Sequence, residues 1–355
     1  MESYIKKFCE TSLGDITQVG YKNAEIGKLM TLLKPKGILI PDGFIITAEA
    51  YRYFVQANHL AGPLRELMDA VDKDLFNNLP EISAQARKVI TNGHMPNDLV
   101  MAIIDAYDYL FDFTAPEVAV RSSVVMCKIT EPPVSGLNDS YLNRKGHSSI
   151  LYSIKQCFAS LFTERAIRYA IEKGHQPDAA AMSVGIQEMV RADMGCSGVG
   201  FTHFPGHGNE DIIFLKAIWG LGEMINHGNI EPDEYLIFKP SLKMGSGVLV
   251  ERDLGSKYQT MVFGDEDDEV NQILIKDTPP ELQETYVLGD IEIRHLAEWA
   301  VLLEQIYQKP MCFEWAKDGR NHQFYLMQVS PYLVSAHNRQ IADALVHARE
   351  SFLPN

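Results

Sequence analysis

Ser183-Val-Gly-Ile-Gln-Glu-Met-Val190 is the stretch at which the pattern of the sequence changes. Before it, apolar residues recur mainly at helical spacing, whereas after it strand-sized apolar segments are separated by Gly, Pro and Asp turns. A helix-rich part followed by a strand-rich part predicts an α+β fold of two lobes, with the cleft between them a candidate ligand site. We place the N-terminal lobe at residues 1–185 and the C-terminal lobe at residues 186–335.

The part before this stretch contains two predicted helices. Apolar residues line one side of the segment from Asp98 to Phe113, and the same spacing predicts one long helix from Ser149 to Glu172, closed by a glycine cap at Gly174. Between them, the apolar run Glu117–Ser123 predicts a buried strand. The polar, Pro-bearing segment 122–143 that follows is long enough to form a lid over a ligand.

The part after this stretch ends in a predicted hairpin. The segments PMCFEWAKDG (310–319) and HQFYLMQVSP (322–331) have strand-like patterns, and Asp-Gly near the end of the first one favours a turn. A helix is predicted from Ile291 to Tyr307, before the hairpin. Residues 336–355 predict a C-terminal helix.

Composition and charge exclude several classes of protein. The chain has 355 residues, 46% of them hydrophobic, and a net charge of -15, which disfavours a nucleic-acid partner and requires any phosphate site to gather its cations locally. Five cysteines without a Cys-x-x-Cys pair suggest neither a disulfide framework nor a zinc knuckle. The start of the chain has no signal-peptide pattern, and no apolar run approaches the roughly 18 residues of a membrane span. We therefore expect a reduced, cytoplasmic protein without a membrane partner.

Two cations are candidates for phosphate binding. Lys22 follows Gly20 just before an apolar helix start, where its ammonium group could meet a phosphate at a helix N-terminus. A solvated loop lysine would explain the same pattern. Arg121 ends an apolar strand, where burial is costly unless an anion or a carboxylate meets its guanidinium group. An internal salt bridge and a phosphate contact remain equally open for it.

Three further polar residues occur in apolar strands. Gln187 lies where the two halves meet, and backbone groups of such a connection can bind an adenine edge, although an ordinary core strand has the same pattern. Glu314 and Gln328 lie on the two strands of the predicted hairpin, about 4.8 Å apart. Their oxygens could hold a Mg²⁺ ion that also contacts phosphates. A salt bridge from Glu314 to a lysine is the alternative, because an unpaired buried carboxylate is costly.

The order of these segments resembles one known family. From about Gly14 to Tyr332 the chain is similar to the N-terminal ATP-binding domain of phosphoenolpyruvate synthase, pyruvate phosphate dikinase and rifampin phosphotransferase. The similar segments, in chain order, are Lys22-Asn-Ala, VAVRSS, YLN, SLFTERAIRY, IQEMV, SGVGFT, WGLGE, PDEYLIFK, FEWA and LMQVSP. The resemblance implies an ATP-grasp fold, in which two lobes clamp the nucleotide.

The resemblance also implies roles for residues of the N-terminal lobe. Lys22 and Arg121 would contact the ATP phosphates and act as the catalytic cations. Gly136 and Ser140 would contact the phosphates from the lid loop, with Ser140 replacing the usual threonine.

A second group of implied contacts begins at the junction of the lobes. Gln187 would contact the nucleotide, and Met189 and Val190 would line the adenine. Glu314 and Gln328 would bind Mg²⁺ and the phosphates.

Five positions depart from the pattern of this family. The usual Gln-Ala-Arg-Pro becomes Gln-Val-Ser-Pro, so that Ser330 replaces a phosphate-binding arginine. Acidic residues are replaced by Cys312, by Lys216, and by Cys127 and Lys128 in the loop after the arginine strand. Loss of a charge-assisted contact to a transferring phosphoryl group commonly costs about 2.7–4 kcal/mol. Lys128 or Lys216 could supply the missing positive charge to the phosphates from another part of the chain.

The phosphate acceptor is the next question that the resemblance raises. The family passes phosphate to a histidine on a swivelling domain and then to a substrate on a third domain, and we expect both to lie outside this chain. None of the eleven histidines has the Gly-rich Thr/Ser-Ser-His setting of the carrier. His203 and His207 are spaced like a metal pair, but Pro205 and Gly206 prevent a helix between them, so a metal site is not favoured.

Three functional hypotheses follow. The first is a split enzyme that binds Mg-ATP and phosphorylates a histidine on a separate carrier or substrate-domain protein. The second is an ATP-binding regulatory or scaffold protein without turnover, motivated by Ser330, Cys312 and Lys216. The third is a kinase that acts directly on a small molecule.

Overall fold

The change of pattern near Ser183 corresponds to a division of the chain in the computed structural model. The structure describes residues 4–332 except 115, 127–138, 206–209, 227, 229, 244–249 and 265–272. The described residues up to Met189 form unit 1, and those from Val190 onward form unit 2. The mixture of helices and sheets confirms the α+β class. The predicted C-terminal helix lies outside the described residues.

Unit 1 is an antiparallel sheet between layers of helices. Its strands are β1 (Ile5–Lys7), β2 (Gly43–Ile46), β3 (Val118–Val125), β4 (Ser140–Arg144) and β5 (Ala181–Glu188). Its helices are α1 (Ile16–Leu33), α2 (Ala48–Ala57), α3 (Ala61–Asp69), α4 (Leu79–Asn92), α5 (Asn97–Leu110), α6 (His147–Ala159) and α7 (Glu164–Glu172). The strand order is β1-β2-β5-β3-β4.

The two faces of this sheet differ in composition. Val120 and Ile186 belong to the large apolar cluster shared with helices α2 to α7. The other face carries small and polar residues, and α1 packs against it. A Cβ atom on Gly185 would lie 2.6 Å from Asn23 Oδ1, and Asn23 Nδ2 donates a hydrogen bond to Ser183 Oγ at 3.0 Å. The small residues therefore allow α1 to approach the sheet closely.

Two expectations for unit 1 need correction. The single helix predicted from Ser149 to Glu172 is two helices, because Thr163 accepts a hydrogen bond from the backbone N–H of Ala166 and thereby caps α7. The loop predicted over 122–143 is narrower, since its first residues extend β3 to Val125 and its last residues form most of β4. The glycine cap is confirmed, with φ of +72° at Gly174.

Unit 2 contains a six-stranded antiparallel sheet in the order β13-β12-β6-β7-β8-β9, and a separate β10-β11 pair. The strands are β6 (Cys196–Phe201), β7 (Ile212–Trp219), β8 (Asp233–Phe238), β9 (Val250–Asp253), β10 (Gln259–Phe263), β11 (Ile273–Asp277), β12 (Met311–Lys317) and β13 (Phe324–Pro331). The helices are α8 (Glu223–Asn226), α9 (Lys239–Lys243), α10 (Pro280–Gln283) and α11 (Asp290–Tyr307).

One face of the six-stranded sheet packs against α11. The rings of Phe313 and Trp315 are buried on this face, and Lys317 on the same strand forms an ion pair with Glu292 of α11 at 2.5 Å. Alternate residues of β12, including Glu314, project from the opposite face. In the described part of the chain, no helix is long and apolar enough to cross a bilayer.

A buried ion pair joins the loops at one end of unit 2. Lys257 Nζ lies 2.5 Å from Asp233 Oδ1, and both side chains are fully buried. The ammonium group also donates to the carbonyl oxygens of Gly255 and Gln283, at 2.8 and 3.1 Å. Asp233 in turn accepts hydrogen bonds from the backbone N–H groups of Gly255 and Val287. Each charge therefore has several partners, as a buried charge requires.

Candidate functional site

Lys22 lies just after a break in α1. Gly20 has φ of +72° and ψ of 164° inside the helix, so the helical segment with Lys22 in its first turn starts after it. A Cβ atom on Gly20 would lie 2.3 Å from Ser123 Oγ and 2.9 Å from the Ser123 carbonyl oxygen. The close approach of Gly20 to β3 therefore fixes the start of the segment that carries Lys22. This lysine is half-buried on a helix, so the alternative of a solvated loop residue is wrong.

Replacement of Gly20 tests this arrangement. We expect Gly20→Ala to lower the free energy of unfolding by about 1–3 kcal/mol, because its backbone conformation and the contact with Ser123 both disfavour a side chain. Gly62 is a matched control, since it lies in α3 and a Cβ atom added there would have no other atom within 4 Å. Gly62→Ala should be neutral or stabilise by up to about 1 kcal/mol. Urea unfolding followed by circular dichroism measures both changes, and equal effects would contradict the prediction.

Arg121 lies on the sheet face that α1 covers. In the strand register it is the partner of Gly185 on β5 and of Ser140 on β4, so the three positions share one face. Its Nε atom is buried and has no hydrogen-bond partner in the described part of the chain. Among the described residues no carboxylate pairs with it, so the salt-bridge alternative has no support there and the phosphate contact stays a prediction. Ser140, its neighbour, is exposed.

Gln187 lies on the same face, two residues along β5 from Gly185. Its side chain is buried and donates from Nε2 to the carbonyl oxygen of Pro41 at 3.1 Å. Its Oε1 atom is buried, and no described residue donates a hydrogen bond to it. An unpaired donor on Arg121 and an unpaired acceptor on Gln187 thus lie on neighbouring strands of one face. Each such buried group costs about 1–3 kcal/mol unless a partner meets it.

The predicted adenine contacts occupy the junction at which the units divide. The backbone N–H of Met189 donates to the carbonyl oxygen of Glu117 at 2.9 Å, and the carbonyl oxygen of Val190 accepts from Ala192 at 2.7 Å. These two backbone groups are used within their own units, so an adenine contact at this junction stays a prediction. Gly136 lies outside the described residues, as do Cys127 and Lys128.

Glu314 and Gln328 are direct partners in the register of β12 and β13, which confirms the predicted hairpin. The register shifts immediately beside them, because Trp315 pairs with Leu326 and leaves Met327 as an extra residue. Both side chains are half-buried on the face opposite α11. No lysine or arginine among the described residues forms an ion pair with Glu314, so the salt-bridge alternative has no support there.

The Glu314–Gln328 pair fits Mg²⁺ chemistry. A carboxylate and an amide oxygen are hard ligands, and Mg²⁺ keeps several waters and completes its shell with substrate phosphates. In the described residues no group of three His, Cys, Asp or Glu side chains could hold a metal on its own. The residues present are therefore suited to a metal that arrives with a nucleotide.

Cys312 and Ser330 are the next pair on the same face and are also direct register partners. Burial, and then the negative charge of Glu314, raise the pKa of the Cys312 thiol to about 12, so the thiol is neutral near pH 7. Ser330 is uncharged as well. Cys312 therefore does not supply the negative charge, and Ser330 does not supply the positive charge, that the family pattern has at these positions.

Lys216 lies on the same face as Glu314. It is the register partner of Val199 on β6, which is in turn the partner of Glu314. Lys216 Nζ forms an ion pair with Glu234 Oε1 on β8 at 2.9 Å. No local pattern in the sequence points to Glu234, because only the register of β7 and β8 brings it beside Lys216.

His203, which was considered above as one half of a metal-binding pair, instead contacts a carboxylate of α11. Its Nε2 atom lies 3.1 Å from Glu304 Oε1, and Lys239 Nζ lies 2.5 Å from Glu304 Oε2. These contacts attach α11 to the strand ends of unit 2. His207 lies outside the described residues.

Comparisons with known proteins identify the family to which this chain is similar. The family profile described as pyruvate phosphate dikinase, AMP/ATP-binding domain, matches residues 16–349. The chain is 38% identical over 340 residues to the phosphoenolpyruvate synthase of Aquifex aeolicus, with 93% of this chain and 39% of that protein covered. It is 38% identical over 342 residues to the synthase of Helicobacter pylori, with 94% of this chain and 42% of that protein covered.

A third relative gives the same result at lower identity. The chain is 33% identical over 341 residues to the phosphoenolpyruvate synthase of Escherichia coli, with 96% of this chain and 43% of that protein covered. The chain thus spans about two-fifths of the length of the curated relatives it matches. Together with the family match over most of the sequence, these similarities show that the chain belongs to the family of pyruvate phosphate dikinase AMP/ATP-binding domains.

Proposed function

We propose that this chain is an ATP-grasp phosphotransferase module that binds Mg-ATP and passes phosphate to an acceptor outside the chain. The acceptor is a histidine on a partner protein, as in a split system similar to phosphoenolpyruvate synthase. Family membership and the names of the relatives support the use of ATP and a phosphotransferase function.

The observation that carries the proposal is the pair of unsatisfied buried atoms in unit 1. Arg121 Nε can donate and Gln187 Oε1 can accept, and neither has a hydrogen-bond partner among the residues that the structure describes. A nucleotide supplies both complements, since its phosphates accept hydrogen bonds and its hydroxyl and amino groups donate them. Proteins rarely leave such groups unpaired unless a ligand completes them.

The remaining predicted residues have complementary roles in this proposal. Lys22 and Arg121 neutralise and orient the phosphates, which is most of what a protein contributes to phosphoryl transfer. Glu314 and Gln328 would hold Mg²⁺, which supplies charge neutralisation at the phosphate oxygens when bound. Ser140 and Gly136 would contact the phosphates, and Met189 and Val190 the adenine.

A second candidate function is nucleotide binding without turnover. The observation that favours it is the uncharged Cys312–Ser330 pair directly beside Glu314 and Gln328. Without a cation at this place the protein could bind ATP and still stabilise the transferring phosphoryl group poorly. Such a protein would act as a regulator or scaffold.

Labelled ATP separates the two functions. We expect the purified chain, mixed with the product of a neighbouring gene and Mg²⁺, to transfer label from γ- or β-labelled ATP to that protein. The label should be acid-labile and base-stable, as for phosphohistidine, and the nucleotide product shows whether ADP or AMP is formed. ATP binding by calorimetry without any ATP consumption would favour the second function. Label on a small molecule from a metabolite pool would favour a direct kinase.

Glu314→Gln tests the metal-binding role. It keeps the shape of the side chain and removes its charge, so we expect the Mg²⁺-dependent part of ATP affinity to fall by about 10-fold or more. Affinity for ATP in EDTA should be unchanged or higher, because without Mg²⁺ the carboxylate of Glu314 repels the phosphates. Glu298→Gln on α11 is the control, because its partner Arg294 and the exposed helix surface are unrelated to the site. If Glu314→Gln kept the full Mg²⁺ effect, this residue would not be a metal ligand.

A further inference from the structure

A row of side chains crosses the six-stranded sheet of unit 2 on the face opposite α11. The members of this row are successive register partners, namely Gln328, Glu314, Val199, Lys216 and Glu234. Neighbouring strands lie about 4.8 Å apart, so the backbone of Lys216 is about 10 Å from that of Glu314. A lysine side chain and a chain of phosphates can together span such a distance.

A second row lies two residues farther along each strand on the same face. Its members are Ser330, Cys312, Phe201, Phe214 and Leu236, again as successive register partners. Lys216 Nζ lies 5.3 Å from the centre of the Phe214 ring. The ammonium group therefore lies between Glu234 of the first row and Phe214 of the second row, and it would have to turn from the β8 side toward β12 to meet a phosphate beside Glu314. Within these two described rows, Lys216 is the only cation.

The ion pair that Lys216 forms in the free protein is easily exchanged. The side chains of Lys216 and Glu234 are 30% and 35% exposed, and ion pairs with this exposure contribute little to stability. A phosphate group, which carries more charge than a carboxylate, makes stronger charge-assisted contacts with a lysine. Phosphates beside Glu314 would thus compete well with Glu234 for the ammonium group.

We propose that Lys216 binds a phosphate of the nucleotide and supplies the positive charge that Ser330 lacks, while Glu234 holds Lys216 when no nucleotide is bound. The inference rests on the proposed function, since it requires nucleotide phosphates at Glu314 and Gln328. It also explains how a face with two carboxylates can accept a polyanion in a protein of net charge -15.

Calorimetric titration of ATP and AMP in the presence of Mg²⁺ tests the inference. Lys216→Ala should raise the Kd for ATP by about 10-fold or more, the effect of losing one charge-assisted contact. The Kd for AMP should change less than about twofold, because AMP lacks the outer phosphates. Glu234→Gln breaks the same ion pair but releases Lys216, so it should leave the Kd for ATP unchanged or lower it.

Lys216→Ala and Glu234→Gln should change the Kd for ATP in different ways, and a purely structural role of the ion pair would not produce this difference. If Lys216 only supported the sheet, Lys216→Ala and Glu234→Gln would weaken ATP binding alike, and the inference would be overturned. Ser330→Arg in the Lys216→Ala background should restore ATP affinity, because it returns a cation to the neighbouring row. Tryptophan fluorescence confirms that each variant is folded, and Lys216→Met serves if the alanine variant is not.

The outcomes also separate this inference from the proposed function. If the unaltered protein binds ATP and Lys216→Ala binds it equally well, the inference fails and the proposed function stands. If the unaltered protein binds no ATP, both fail.

Discussion

Replacement of Asp233 by asparagine is expected to lower the free energy of unfolding of unit 2 by about 3–5 kcal/mol. Asp233 and Lys257 are both fully buried, and the change leaves the ammonium group of Lys257 without a counter-charge. The hydrogen bonds that Lys257 donates to Gly255 and Gln283 remain, but neutral carbonyl groups do not replace a carboxylate. The double variant Asp233→Asn with Lys257→Met should be less unstable than the single one, because it removes both charges.

Tryptophan fluorescence during guanidinium unfolding measures this change selectively. All three tryptophans, Trp219, Trp299 and Trp315, lie in unit 2, so the signal reports the unfolding of that unit. Glu298→Gln is the control, since its ion pair with Arg294 is exposed and should be worth less than about 1 kcal/mol. A shift for Asp233→Asn no larger than for Glu298→Gln would show that the buried pair is not a stabilising link.

Arg121→Met is expected to reduce ATP turnover by about 10²–10³-fold, which is the usual effect of removing a preorganised charge at a transferring group. The same change should leave the unliganded protein as stable as before, or more stable. Stability should not fall because Arg121 Nε is buried without a hydrogen-bond partner among the described residues. Replacing the arginine removes this unsatisfied group from the free protein. Lost function without lost stability is the result typical of a ligand-binding residue.

Arg144 provides a matched control for Arg121. Its Nε atom is also buried without a partner, but it is the register partner of Val118 and so lies on the other face of the sheet, near the Tyr141 ring. Arg144→Met should leave ATP affinity and turnover unchanged. Where turnover is too slow to measure, the Kd for ATP replaces it as the readout. Equal losses for both variants would mean that Arg121 acts through the fold and not through the nucleotide.

Much of the strand-rich half could be predicted from local patterns. The pairing of Glu314 with Gln328 followed from strand alternation on both sides of an Asp-Gly turn. The bulge at Met327 could not be predicted, because apolar alternation continues through it. The break at Thr163 had a local signal, a threonine before Glu-Arg-Ala, but the uninterrupted helical spacing of apolar residues around it favoured one helix.

The features that could not be predicted from the sequence are mainly contacts between segments that are distant in the chain. The ion pairs Lys216–Glu234 and Asp233–Lys257 depend on strand register and loop position, for which no local pattern exists. The identity of the phosphate contacts came from the resemblance, and it remains a proposal. The structure adds that Arg121 Nε and Gln187 Oε1 are both buried on one sheet face and that neither atom has a hydrogen-bond partner among the described residues.

The contact between Gly20 and Ser123 also bears on the order in which the protein folds. It joins positions about 100 residues apart, so the chain must close a long loop, at an entropic cost, before it can form. The hairpin that carries Glu314 and Gln328, in contrast, is formed by strands that follow one another directly in the chain. During refolding, hydrogen exchange should therefore protect β12 and β13 before it protects the turn of α1 that carries Lys22. The proposed metal ligands lie on strands that are adjacent in the chain, whereas the segment that carries Lys22 is positioned only after distant parts of unit 1 have come together.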